Sequence, residues 1–243
     1  MRLCASRSAR LLAGLLLSCN WRARAAAPEP TQLLRWNAGM PGSEFSANAD
    51  GTYRYGLAGK GVSVTLAVDA QELDKARRRI EPLLAVFLTI RSSTGHDLAL
   101  DTTKITLEFV DHFHDRQRAL DPDDLALRLK SDSGKFSEKT AHEIAGRPNR
   151  KAEAEAALAD YLEAVRAMID FLGVKALRSA PPNSGRRDST GWVFFATRGR
   201  WIEQLSKQEQ LVLRLPLGDL TVEFPFTIPP SQADINLRQR PSD

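Results

Sequence analysis

Pro82-Leu83-Leu84-Ala85-Val86-Phe87-Leu88-Thr89-Ile90 sets the reading of the rest of the chain. The run is dense in β-branched and aromatic side chains, and it predicts a central β-strand starting just after the proline. Upstream, from Gly61, the residues Val62, Val64, Leu66 and Val68 alternate with smaller or polar partners, the period of a strand buried on one face. The intervening segment 69–80 is heavily charged and reads as a loop or one or two helical turns. Downstream, Ser92-Ser93-Thr94-Gly95 is a turn, 98–100 suits a short edge strand, and Ile105-Thr106-Leu107-Glu108-Phe109 alternates again.

From about residue 121 to residue 184 the period becomes helical. Asp121-Pro122 opens a short helix carrying Leu125, Leu127 and Leu129, and Ser137 is a candidate N-cap for a second that ends near Gly146 and Pro148. A third helix starts at Asn149 and ends at Gly173. Its stripe is Ala154, Ala157, Leu158, Tyr161, Leu162, Val165, Met168, Ile169 and Leu172. After Pro181-Pro182 the strand pattern returns in Thr190-Gly191-Trp192-Val193-Phe194-Phe195-Ala196, in 210–215 and in 220–226, the last two joined through Gly218-Asp219. Trp192 and Phe194 share one face of their strand, Val193 and Phe195 the other. Both faces being apolar predicts a central strand covered by the opposite sheet and by the helical insert.

About seven short strands split by a two- to three-helix insert predict a mainly β fold, an antiparallel two-sheet sandwich with helices inserted at about 121–184. The sandwich domain spans 61–230. Residues 26–60, rich in Ala, Pro, Gly, Asn and Ser, read as a flexible linker, and 231–243 as a loose polar tail.

The run 190–195 after a polar loop, and 84–92 before a turn, together resemble uncharacterised exported bacterial proteins with an immunoglobulin-like β-sandwich, many of them lipoproteins. The resemblance covers roughly 60–115 and 186–230; the long helical insert departs from it. It implies a fold and a compartment, and brings no catalytic residues.

The first 25 residues read as an address. Arg2, Arg7 and Arg10 precede the apolar run Leu11-Leu12-Ala13-Gly14-Leu15-Leu16-Leu17, and Ala23-Arg24-Ala25 offers a small-residue exit, the three parts of a secretory signal peptide. The apolar run is too short for a bilayer-spanning helix. An organelle transit peptide shares the abundance of Arg and Ser, but the uninterrupted leucine core argues against it. Export to the periplasm or cell envelope is therefore expected. The net charge of +4 also belongs to this segment: cleavage after Ala25 leaves 29 basic against 30 acidic residues, which removes the electrostatic case for a nucleic-acid partner.

Both cysteines, Cys4 and Cys19, lie in the leader, so cleavage after Ala25 leaves no disulfide, thiol nucleophile or Cys-type metal site. Leu16-Leu17-Ser18-Cys19 resembles the bacterial lipoprotein signal, in which cleavage leaves an acylated N-terminal cysteine tethered to a membrane. Leu16 and Ser18 match that pattern and Leu17 is larger than it prefers. Cys19 is thus a candidate lipidation site beside the alternative of plain cleavage at Ala25.

Candidate chemistry is sparse. Asp111-His112-Phe113-His114-Asp115 holds a His-x-His pair; at a strand end His112 and His114 would share a face, opposite Asp111, Phe113 and Asp115, and could fill two corners of a zinc or copper site. A third ligand would come from His142, His96, Asp123 or Asp124. The plainer reading is a solvated strand end. Asp121, Asp123 and Asp124 lack the spacing of a calcium loop and fit a helix cap with acids in its first turn. Gly56-Leu57-Ala58-Gly59-Lys60-Gly61 matches neither phosphate-binding fingerprint and reads as a linker before a strand. No Gly-x-Ser-x-Gly or Ser-x-x-Lys motif is present. Trp201 and Ile202, beside Arg198, Arg200 and Lys207, form a candidate surface-binding patch. The sequence thus favours a non-enzymatic, cofactor-free interaction or structural module of the cell envelope, presenting a sandwich edge or the helical insert to a protein partner. The alternative is an exported metal-binding protein using His112 and His114.

Overall fold

The computed structural model describes residues 32–49, 51–69, 83–93, 97–181, 184–197 and 209–228. Two five-stranded sheets face each other. The strands are β1 (Gln32–Arg35), β2 (Ser43–Ala47), β3 (Thr52–Gly59), β4 (Val62–Asp69), β5 (Leu83–Ser92), β6 (Thr106–Phe109), β7 (Asp115–Arg118), β8 (Asp188–Ala196), β9 (Glu209–Leu217) and β10 (Leu220–Ile228). The strand orders are β1-β10-β9-β6-β7 and β2-β3-β4-β5-β8, and among the described residues every pairing between these strands is antiparallel except β1 with β10. The fold is a mainly β sandwich with helices inserted between β7 and β8.

Alternation builds the core as the period of two requires. Val64, Leu66, Val68, Leu84, Val86, Leu88 and Ile90 from one sheet meet Leu107, Leu213, Leu215, Val222, Phe224 and Phe226 from the other, all buried. The segment 26–60, expected to be a linker, contributes three strands in its described part. Glycine turns at Gly39, Gly42 and Gly51, all with positive φ, made its composition look like a spacer. Phe45, Tyr53, Tyr55 and Leu57 nevertheless supply a core face, and Trp36 packs edge-on against Tyr55 at 5.1 Å. The sandwich therefore begins near residue 32, and Gly56 and Gly59 of the supposed linker lie within β3.

The insert contains two helices among the described residues, not three. α1 (Pro122–Gly146) and α2 (Lys151–Lys175) are 25 residues each, about 37 Å long. Ser137 does not cap a helix; it lies inside α1, its hydroxyl donating to the Ser133 carbonyl at 2.9 Å. α2 starts at Lys151 after a single 3-10 turn (Pro148–Arg150), not at Asn149, and passes Gly173 to Lys175. Asp121 does cap α1, accepting from the Asp123 and Asp124 amides at 2.9 and 3.1 Å.

The helices cover the outer face of β5 and β8. Leu83, Ala85 and Phe194 pack against Leu125, Leu129, Val165 and Leu172, while Val193 and Phe195 enter the sandwich core. β8 is thus apolar on both faces as expected, but it ends its sheet instead of lying centrally. The chain entering and leaving the insert protects that edge: the Leu120 amide donates to the Phe194 carbonyl at 2.8 Å and the Leu177 amide to the Trp192 carbonyl at 2.9 Å. Residues 98–100 form no strand; Leu100 alone bridges to Ala180 and Leu217. The charged segment 70–80, the leader with Cys19, and the tail after residue 228 lie outside the described residues.

Candidate functional site

The expected His-x-His pair sits where β6 turns into β7. Hydrogen bonding from the Asp115 amide to the His112 carbonyl at 3.1 Å closes a four-residue turn with Phe113 and His114 at its centre, each at φ 57°. Two consecutive left-handed residues make this a type I′ geometry, which Asn-Gly adopts cheaply and Phe-His does not. The phenyl ring of Phe113 is fully exposed, at 102% of its reference area.

That reversal separates the two histidines. Had the strand continued they would share a face; instead His114 Nδ1 lies 2.7 Å from Glu108 Oε1, and His112 Nε2 lies 3.2 Å from Glu209 Oε1 at the start of β9. Asp111 accepts from the Gln210 amide at 2.9 Å, and Asp115 from Gln117 Nε2 at 2.8 Å. Asp111, Phe113 and Asp115 therefore do not form the opposite face that a strand would give them. Burial raises the Glu209 carboxyl, with His112 acting in the opposite direction and Asp111 adding to the rise.

Glu108 also anchors a ladder of alternating charge across the outer face of the first sheet. Arg35 meets Glu223 at 3.1 Å, Glu223 meets Arg214 at 2.8 Å, Arg214 reaches Glu108, and Arg116 meets the same carboxylate at 2.9 Å. One residue from each strand contributes. Burial alone would raise the Glu108 carboxyl, but hydrogen bonds from Arg214, His114 and Arg116 hold it at about 2. The ladder was not read from the sequence. Its members each occupy an outward position of a strand, a detectable signal, but which of them meet depends on register.

Among the described residues no three His, Cys, Asp or Glu side chains form a metal-holding group. His142 is exposed on α1, and Asp123 pairs with Arg178 at 2.6 Å. His96, Trp201, Ile202, Arg198 and Arg200 lie outside the described residues.

No protein-family model matches the chain, and no curated protein or solved structure matches it either.

An apolar side chain stands clear of the surface on a backbone fixed by the β6–β7 pairing, with a carboxylate-bound histidine on each side. A ring presented this way gives large contact area at low entropic cost to whatever pocket receives it.

Proposed function

We propose that this chain is an exported protein of the bacterial cell envelope that acts as a non-enzymatic interaction module, docking to a protein partner through the β6–β7 end of the sandwich with Phe113 as its anchor. The observation carrying the reading is the fully exposed Phe113 at positive φ. Strain of this kind costs on the order of 1–3 kcal/mol, and a solvated ring returns none of it in the free protein. The leader-like first 25 residues support the compartment, with Cys19 as the tether where lipid is attached.

A photo-reactive phenylalanine analogue placed at position 113 in cells tests the reading. A discrete crosslinked protein is expected from position 113 and none from the same label at Met40, another exposed apolar position. Crosslinking from Leu127 of α1 instead would move the docking surface to the helical insert and overturn the role of the turn. The intact mass of the mature chain tests the compartment: it begins at an acylated Cys19 or at Ala26, and a chain recovered from the cytoplasm still starting at Met1 overturns export.

A further inference from the structure

The outer face of the second sheet, beyond the part the helices cover, is concave and differently furnished. Arg54, Ser63, Thr65, Ala67, Phe87, Thr89 and Arg91 line a trough of about 300 Å³. A second concavity of about 520 Å³ shares Arg54 and Thr65 with it and continues to Glu44 and Ser46 on β2. Register explains the shape. Gly56, Thr65 and Thr89 stand side by side across β3, β4 and β5, a floor of short side chains, while Arg54 and Phe87 lie two residues along on one side and Arg91 on the other.

Three properties of this trough go together. Hydroxyls of Ser63, Thr65 and Thr89 line it. Phe87, only partly buried, makes an aromatic wall braced by Trp192 at a centroid distance of 5.3 Å. Neither the Arg54 nor the Arg91 side chain makes an ion pair or hydrogen bond among the described residues. Two strands and four residues separate these arginines, about 16 Å between Cα atoms across the sheet, which sets them at opposite ends of the trough. Two carboxylates border the trough, Glu44 beside Gly56 and Asp188 opposite Arg91, and neither neutralises an arginine by direct contact. An elongated surface with hydroxyls, one ring face and cations at its two ends has the complementarity of a sugar chain bearing acidic groups: hydroxyls bond hydroxyls, the ring packs on sugar C–H faces, and guanidinium forks take carboxylates.

We propose that this trough is a binding site for a carboxylated oligosaccharide, distinct from the Phe113 turn and independent of its role. Titration calorimetry of the intact protein with trigalacturonate, its fully methyl-esterified neutral form, and sodium acetate tests it. Trigalacturonate is expected to bind, with at least tenfold loss in Arg54→Ala/Arg91→Ala and loss in Thr65→Trp, which fills the floor. Phe113→Ala is expected to bind unchanged. Absence of trigalacturonate binding, equal binding of the neutral ester or of acetate, or full binding by the double arginine variant would each overturn the proposal. The double variant removes only exposed side chains, so it remains decisive where Thr65→Trp fails to fold.

Discussion

Glu108 and Arg214 join β6 to β9 diagonally: Thr106 stands directly opposite Arg214, two residues from Glu108, and the guanidinium reaches across to the buried carboxylate. Arg214 and Arg116 share Oε2 of that carboxylate and His114 Nδ1 meets Oε1, so one acid holds three partners. Such a group, once buried, is stabilised only while its partners remain.

Acid stability follows from this pairing. The Glu108 carboxyl moves from 4.5 to about 2 on folding. A depressed value contributes stability above the ordinary carboxylate range and loses it as the pH falls from about 4.5 through about 2. With solvent screening at the sheet surface the contribution is about 1–2 kcal/mol. Urea titrations at pH 7 and pH 2 should show Glu108→Gln clearly destabilised at pH 7 and much closer to wild type at pH 2. An equal deficit at both pH values would refute the linkage.

Relief of the turn should be measurable in the other direction. Phe113→Gly removes the left-handed penalty and is expected to raise stability by about 1 kcal/mol. Phe113→Ala keeps the penalty and should stay near wild type in melting temperature. Both remove the ring, so both should fail to co-purify the partner that the label at position 113 identifies, separating binding from folding.

Glycine demand differs sharply between two positions. A Cβ at Gly191 would lie 2.5 Å from the Leu177 amide nitrogen and 2.7 Å from its Cα, both backbone atoms of the chain leaving α2. Gly191→Ala should therefore cost on the order of 2 kcal/mol or more, by forcing β8 and that segment apart. Gly134, inside α1 with no atom within 4 Å of such a Cβ, should gain up to about 1 kcal/mol as Gly134→Ala. Thermal melts of the two variants read the contrast.

The helical layer hangs on Phe194. Its ring is buried among Leu125, Leu129, Val165 and Leu172, and Phe194→Ala should cost about 3–5 kcal/mol. Hydrogen exchange should accelerate in the base of α1 and α2 before it does in β4 and β5. Simultaneous loss of protection throughout would show that the insert is not a separable layer.

Periodicity alone determined the sandwich class, the strands around Val64, Val86, Val193 and Leu213, and the helical character of 122–175. Side chains that alternate or recur every third and fourth place can bury one face in only one kind of element. Composition misled where it competed with periodicity: glycine-rich turns hid β2 and β3, and a serine that bonds within its own helix looked like a cap. What only the tertiary structure decided was pairing. The sequence places His112 and His114 two apart, but a turn with two left-handed residues sends one to Glu209 and the other to Glu108. Arg35, Glu223, Arg214, Glu108 and Arg116 likewise become neighbours only through strand register. Contacts between residues as far apart as Glu108 and Arg214 depend on which strands lie side by side, and local preferences carry no information about that choice.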